Sequence, residues 1–378
     1  TLKGHQDNVN NATFSPNGNF IVTASDDDTA RVWSIKGELL ATLQGHQDNV
    51  NNATFSPNGN FIVTASDDDT ARVWSIKGEL LATLQGHQDT VNNATFSPNG
   101  NSILTTSYYD VKVWNLKGEL LATLQGHERE INSATFSPDG KTIVTASSDK
   151  TAKVWNLKGE LLATLQGHQD EVSSATFSPD GKTIVTTSSF IPHYDFVPPP
   201  VSNVIENSHT NENTARVWNL KGELLATLQG HRGDLKSATF SPDSNTIVTV
   251  SDNTARVWNL KGKLLAILKD HQNVVTSATF SPNGNFIVTA SSGSRARLWN
   301  LKGVMLAILP GHQRNITSAI FSPDGNSIVT ASIDNTARVW QFPPLPRLTA
   351  QACTTVRYYL KYHPDVDDAD RNLCDRIP

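Results

Sequence analysis

Cysteine is nearly missing from this chain: two in 378 residues, Cys353 and Cys374, both within the last 26. That excludes a disulfide scaffold and makes a reducing, cytoplasmic setting the default expectation. Long apolar runs are missing too; none approaches the roughly 18 residues a membrane helix needs. Neither sign of charge dominates. Lys and Arg number 31 against 36 Asp and Glu, a net −5, which argues against binding driven by nucleic-acid phosphates. With 18% charged and 37% hydrophobic residues, the composition is neither that of an acidic disordered chain nor that of a membrane protein. The first residue is Thr1, no signal-peptide pattern follows it, and the chain reads as a piece of something longer. No cofactor fingerprint is legible.

What is present is a repeat. Gly-His or a near copy recurs at His5, His46, His87, His127, His168, His231, His271 and His312, at spacings of 41, 41, 40, 41, 63, 40 and 41. The eight tryptophans, Trp33, Trp74, Trp114, Trp155, Trp218, Trp258, Trp299 and Trp340, keep the same rhythm. Residues 4–44 and 45–85 are identical, a recent duplication. Each repeat reads as four strands. In the second, Val50 to Phe55 is closed by the turn Ser56-Pro57-Asn58-Gly59, and Phe61 to Ser66 is rich in β-branched and aromatic residues. Asp67-Asp68-Asp69 turns into Thr70 to Trp74, and Lys77-Gly78 makes a hairpin into Glu79 to Leu84. Four strands about every 40 residues is the period of a propeller blade, and blades must stack in a ring to bury their faces.

Gly-His, Phe-Ser-Pro-Asn/Asp-Gly, Ser-x-Asp-x-Thr and Val-Trp, repeated in register over residues 1 to about 342, resemble the WD40 family. The residue after each Trp is Asn, Ser or Gln where the family has Asp. The expected fold is all-β: an eight-bladed propeller over 1–342 and a short helical tail over 343–378. The eighth repeat stops at Trp340-Gln341-Phe342 before Pro343, where strand pairing should end. Thr1-Leu2-Lys3-Gly4 matches Thr42 to Gly45 at all but one position, so it can supply the missing fourth strand and close the ring. Seven blades and a stray repeat is the alternative.

Fixed offsets hold His5, Ser25, Asp27 and Trp33 in the first repeat, and His46, Ser66, Asp68 and Trp74 in the second. The fourth holds His127, Ser147, Asp149 and Trp155, and the eighth His312, Ser332, Asp334 and Trp340. His, Ser and Asp together suggest a hydrolase, but a catalytic set occurs once rather than once per repeat. A buried Trp N–H needs an acceptor, and a chain from Trp through Ser and His to Asp would supply it. The family resemblance implies such a structural tetrad. Four repeats depart from it. Tyr108 of the shortened third and Glu212 of the fifth stand where Asp is expected. The sixth keeps Asp252 but lacks a residue between it and Ser251; the seventh has Gly293 for Asp, and Asp270 before its His. These blades should be less tightly fixed, through drift in a redundant array or through a change of function.

Partner-contacting positions implied by the resemblance lie on the face carrying the Gly-His loops and Asp turns. They include Asn8 and Asn10 with Asp26, Asn49 and Asn51 with Asp67, and Asn92. Tyr108 and Tyr109 join them as exposed-turn aromatics. The fifth repeat carries 22 extra residues, an insertion at about 189–211 whose apolar, Pro-rich stretch includes Phe190, Tyr194 and Phe196. It is either a partner-binding loop or a tolerated insertion at a loop tip. His193, Asp195 and His209 lie there, without metal-site spacing. A basic residue two before each Trp, such as Arg31 and Arg72, reads as an anion ring or as packing between blades.

The tail suits a helix from Thr349 to Tyr362 ended by Pro364. Its segments 351–353, 356–360 and 370–375 resemble tails that follow WD40 arrays in bacterial, especially cyanobacterial, multidomain signalling proteins. Those often carry an effector domain before the propeller. The expected role is a non-enzymatic scaffold for a protein or peptide partner, with no cofactor, metal, nucleic acid or membrane. The alternatives are an enzyme with a central-channel site and an oligomerising module.

Overall fold

The computed structural model describes residues 1–189, 213–269 and 271–341. The tail from Phe342, the insertion residues Phe190, Tyr194 and Phe196, and also Glu212 and Asp270, lie outside the described residues. So do Cys353 and Cys374.

Eight antiparallel four-stranded sheets form, one per repeat. In the first, Val9–Phe14, Phe20–Ser25, Thr29–Ser34 and Leu39–Gln44 run from inner to outer strand. The local causes are those legible in the residues. Ser15-Pro16-Asn17-Gly18 turns back with the Gly18 N–H on the Ser15 carbonyl at 2.8 Å, and Gly18 takes φ 72°, a region a side chain disfavours. The eighth sheet takes its outer strand from the chain start: Leu2 pairs with Ala337 and Lys3 with Thr336. The ring is therefore eight-bladed and closed by its own first residues.

The core sits between blades rather than within them. Val22, Ala24, Ala30, Val32 and Leu43 of blade 1 pack on Val50, Ala53, Ile62 and Trp74 of blade 2. The same layer recurs at every junction, including the closing one, where Leu2, Val329, Ala331 and Ala337 meet Val9, Ile21 and Trp33. Trp33 through Trp299 are buried to 2% exposure or less. Trp340 is only partly buried, because the outer strand beside it is two residues long.

Each inner strand carries one β-bulge. In blade 1 Val9 opposes Ser25 and Asn11 opposes Ala24, leaving Asn10 as the extra residue. Asn51, Asn92, Asn132, Ser173, Lys236, Thr276 and Thr317 are the extra residues of the other blades. A bulge re-aims its side chain out of the pleat.

Candidate functional site

The Gly-His loops and the Asp turns meet on one end of the ring, the top face. In blade 1 the Asp26 N–H bonds the Asn8 carbonyl at 3.0 Å, tying turn to loop. Beneath them runs a relay. Trp33 Nε1 donates to Thr23 Oγ1 at 2.9 Å, and that hydroxyl is 2.7 Å from His5 Nε2. His5 Nδ1 donates to the Asp27 carboxylate at 2.9 Å. A neutral imidazole that donates from Nδ1 accepts at Nε2, so the Thr23 O–H points to the ring.

The link is threonine, not serine. Ser25, Ser66, Ser147 and Ser332 stand outside the relay. Period-2 geometry puts Thr23 and Ser25 on one face, but the register pairs Ile21 with Trp33 and Thr23 with Arg31. The indole therefore reaches Thr23, one step along that face, while Ser25 lies at the strand end. Ser25 Oγ donates to the Asp7 carbonyl at 3.2 Å and accepts the Asp27 N–H at 3.2 Å, bridging loop and turn. Ser66, Ser147 and Ser332 repeat both bonds. The threonine link is present in all eight blades, with His Nε2 to Thr Oγ1 at 2.6–2.9 Å. Sequence reasoning missed it; the signal was the threonine ten residues before Trp33, Trp74, Trp155, Trp299 and Trp340.

The carboxylate end varies. His46, His127 and His312 donate to Asp68, Asp149 and Asp334 at 2.7–2.9 Å. Burial alone would raise Asp27 and Asp149; bonds from the histidine, Thr29 or Thr151, and the N–H after the histidine hold both well below the usual carboxylate range. Blade 3 corrects an expectation. Tyr108 does not leave it without an acid, since Asp110 bonds both His87 and Lys112. The shortened turn brings Asp110, four residues before Trp114, to the place of Thr29 and within reach of the ring. Blade 6 is corrected in the other direction. Asp252 keeps its offset from Trp258, but with the turn one residue shorter its exposed carboxylate lies over Gly233 rather than on the histidine. His231, 8% exposed, has no hydrogen-bond partner at Nδ1. In blade 7 Arg297 donates to His271 Nδ1 at 3.0 Å, which makes Nε2 the donor to Thr289. Burial first, then Arg256 and Arg297 respectively, push His231 and His271 down to about 3.

The Asn-rich positions are engaged inside the ring. Asn10 Nδ2 bonds Asp26 at 2.7 Å and the Val50 carbonyl of the next blade at 3.1 Å. Asn51 repeats this with Asp67 and the Val91 carbonyl at 2.7 and 3.2 Å. Asn8 and Asn49 bond the same two carboxylates at 3.0 and 3.3 Å. Asn132, Ser173, Thr276 and Thr317 also reach the next blade's carbonyl, Thr317 across the closure to Val9. Six of the eight described bulge residues are thus stitches between blades. Asn92 is half-buried at the same place, whereas Lys236 is exposed. Tyr108 and Tyr109 are 43% and 68% exposed and available to a partner. Among the described residues no group of three or more His, Cys, Asp or Glu could hold a metal ion. No helix among them is long and apolar enough to cross a membrane.

The family model for the WD domain, G-beta repeat, matches residues 1–34, 37–75, 78–115, 118–156, 159–190, 222–259, 262–300 and 303–341. The chain belongs to the WD40 family. Each segment opens on the outer strand of the preceding blade, as Leu39–Gln44 of blade 1 opens 37–75, and continues into the inner strands of the next. None of the curated proteins matches the chain. Among solved structures, this WD40 chain is similar to the computationally designed Ika8 protein, with a TM-score of 0.76 and 29% identity. That likeness covers 90% of this chain and 98% of the designed one. WD40 propellers are general protein-interaction scaffolds and are typically non-enzymatic. Here the histidine–threonine pair recurs in all eight blades and a carboxylate joins it in blades 1, 2, 3, 4 and 8, where the groups that resemble a hydrolase fix the top loops.

Proposed function

We propose that this WD40 ring is a protein- or peptide-binding module that uses its top face, and that it serves as the sensing or scaffolding end of a larger bacterial signalling protein in the cytoplasm. The observation that supports binding at the top face is its uneven charge, acidic at blades 1 and 2 and carrying exposed cations at blades 6 to 8. The loops of blades 1 and 2 expose Asp7, Asp48 and Asp69 and no Lys or Arg, whereas those of blades 6 to 8 expose Arg232, Lys236, Arg295 and Arg314 beside Asp234 and Asp252. The relays and stitches hold this pattern on a rigid frame, so a partner finds it preformed. Charge complementarity of this kind sets orientation and on-rate. The signalling context rests on the resemblance of the tail segments.

The test is affinity capture from the source cell with three immobilised chains: the unaltered one, an Arg232→Glu/Arg314→Glu variant and a bottom-hairpin Lys77→Glu/Lys117→Glu variant. A partner retained by the first and third but lost from the second supports the reading. A partner lost only from the bottom-hairpin variant contradicts it.

A further inference from the structure

Blades 1, 2, 4 and 8 show what the top of a complete blade holds. In blade 1, Asp27 Oδ2 accepts from His5 Nδ1 at 2.9 Å and from the Gln6 N–H at 2.9 Å, with Arg31 Nη2 at 3.6 Å. Blades 2, 4 and 8 repeat the ring and N–H bonds with Asp68, Asp149 and Asp334. Blade 6 keeps the donors and lacks the acid. His231 is buried and its Nδ1 is unpartnered. Arg256 stands at the place of Arg31, and the Arg232 N–H at the place of the Gln6 N–H. Asp252 is exposed, and its carboxylate lies over Gly233 of the same loop without bonding His231 Nδ1. Blade 7 differs, because Arg297 already occupies His271 Nδ1. Leaving a buried ring nitrogen unpaired is costly, and an incoming acceptor recovers that cost.

We propose that blade 6 takes a carboxylate from a partner: a Glu or Asp side chain of an acidic peptide segment fills the position that Asp27 fills in blade 1. The proposal rests on the top-face reading and names its ligand class. His231 Nδ1, the Arg232 N–H and the Arg256 guanidinium hold the carboxylate. Exposed Arg232 and Lys236 of the same loop draw in the rest of an acidic segment, in competition with the neighbouring exposed Asp234 and Asp252.

The test uses the full chain and a fluorescently labelled, end-capped hexaglutamate peptide, with hexaglutamine as control. The variant inserts one alanine between Ser251 and Asp252. This restores the Ser-x-Asp-x-Thr spacing of blades 1, 2, 4 and 8, so the chain supplies its own acid while the surface cations stay in place. A thermal melt verifies that the variant folds. The expected result is binding of hexaglutamate, no binding of hexaglutamine, and roughly tenfold weaker hexaglutamate binding by the variant. In the unaltered chain, the His231 ¹⁵Nδ1 resonance should move on hexaglutamate addition while that of His5 does not; this readout needs no variant. Equal hexaglutamate binding by chain and variant, or an unmoved His231 resonance at saturation, overturns the site. If hexaglutamate does not bind while a captured partner still depends on Arg232 and Arg314, the blade 6 site is wrong and the module reading stands. If the captured partner depends only on the bottom hairpins, that reading fails independently.

Discussion

Asn10 of blade 1 reaches the carbonyl of Val50 in blade 2, 3.1 Å away, from the one bulged position of its strand. This places a residue type associated with partner contact in the service of the ring itself. Asn51 does the same toward blade 3 and also holds Asp67. Asn51→Ala removes both bonds and leaves a buried-side carbonyl unpaired, at about 1–2 kcal/mol. Asn49→Ala loses only a 3.3 Å contact at the rim and should cost less than about 0.5 kcal/mol. Urea midpoints of the two variants check this; equal losses would contradict the stitch.

The relay makes a sharper prediction. Thr64→Val is nearly isosteric but leaves Trp74 Nε1 and His46 Nε2 without the hydroxyl that lies 2.9 and 2.7 Å from them. The expected loss is about 2–4 kcal/mol, since both groups are buried. Ser66→Ala breaks one bond to a carbonyl and one from an N–H at the turn, and should cost about 1 kcal/mol. A larger loss at Ser66 than at Thr64 in urea unfolding would reinstate serine as the link.

Blade 7 lacks an acid that it has room for. Gly293 is not in the left-handed region, and a Cβ there meets the movable end of Asn273. Gly293→Asp would place a carboxylate beside His271 and Arg297, stabilising the ring by about 1–2 kcal/mol. The His271 pKa should rise from about 3, and its ring should switch from donating at Nε2 to donating at Nδ1. Histidine ¹⁵N shifts report the switch, and an unchanged tautomer would contradict it.

Stability should fall with acid well before the carboxylates titrate. His231 and His271 are held at about 3 in the fold, while an unfolded histidine titrates near about 6.5. Between those values the unfolded chain binds more protons, so unfolding is favoured as pH falls. Each histidine removes up to about 1.4 kcal/mol per pH unit in that window. Asp27 and Asp149, depressed in the fold, contribute stability that is present above about pH 4 and lost only below it. Urea midpoints that stay flat from pH 7 to pH 5 would contradict the buried neutral histidines.

The blades were legible because the repeat writes its turns over and over: Pro-Asn/Asp-Gly, as at residues 16–18, and the Lys-Gly hairpin, as at Lys36-Gly37, each occur seven times. Ring closure was legible because Thr1-Leu2 copies Thr42-Leu43. The relay was half legible. His, Asp and Trp announce themselves, but choosing Thr23 over Ser25 depends on the pairing of Ile21 with Trp33, a register no composition reveals. The bulge at Asn10 is a property of strand pairing and is invisible in a run reading Val9-Asn10-Asn11. A turn one residue shorter puts Asp110 on His87 yet leaves Asp252 over Gly233 and off His231 Nδ1. The two acids lie at different offsets from their tryptophans, four residues and six, so the same deletion gives opposite results.

The measurement that tests the account most directly is hydrogen exchange on the chain with and without a captured partner. The account predicts added protection confined to the top loops of blades 6 to 8, residues 231–236, 252–256, 293–297 and 313–316. The outer strands present the rival surface, with Leu39 and Leu40 48% and 49% exposed and equivalents in the following blades. Protection concentrated there, with the top loops unchanged, would contradict the central claim.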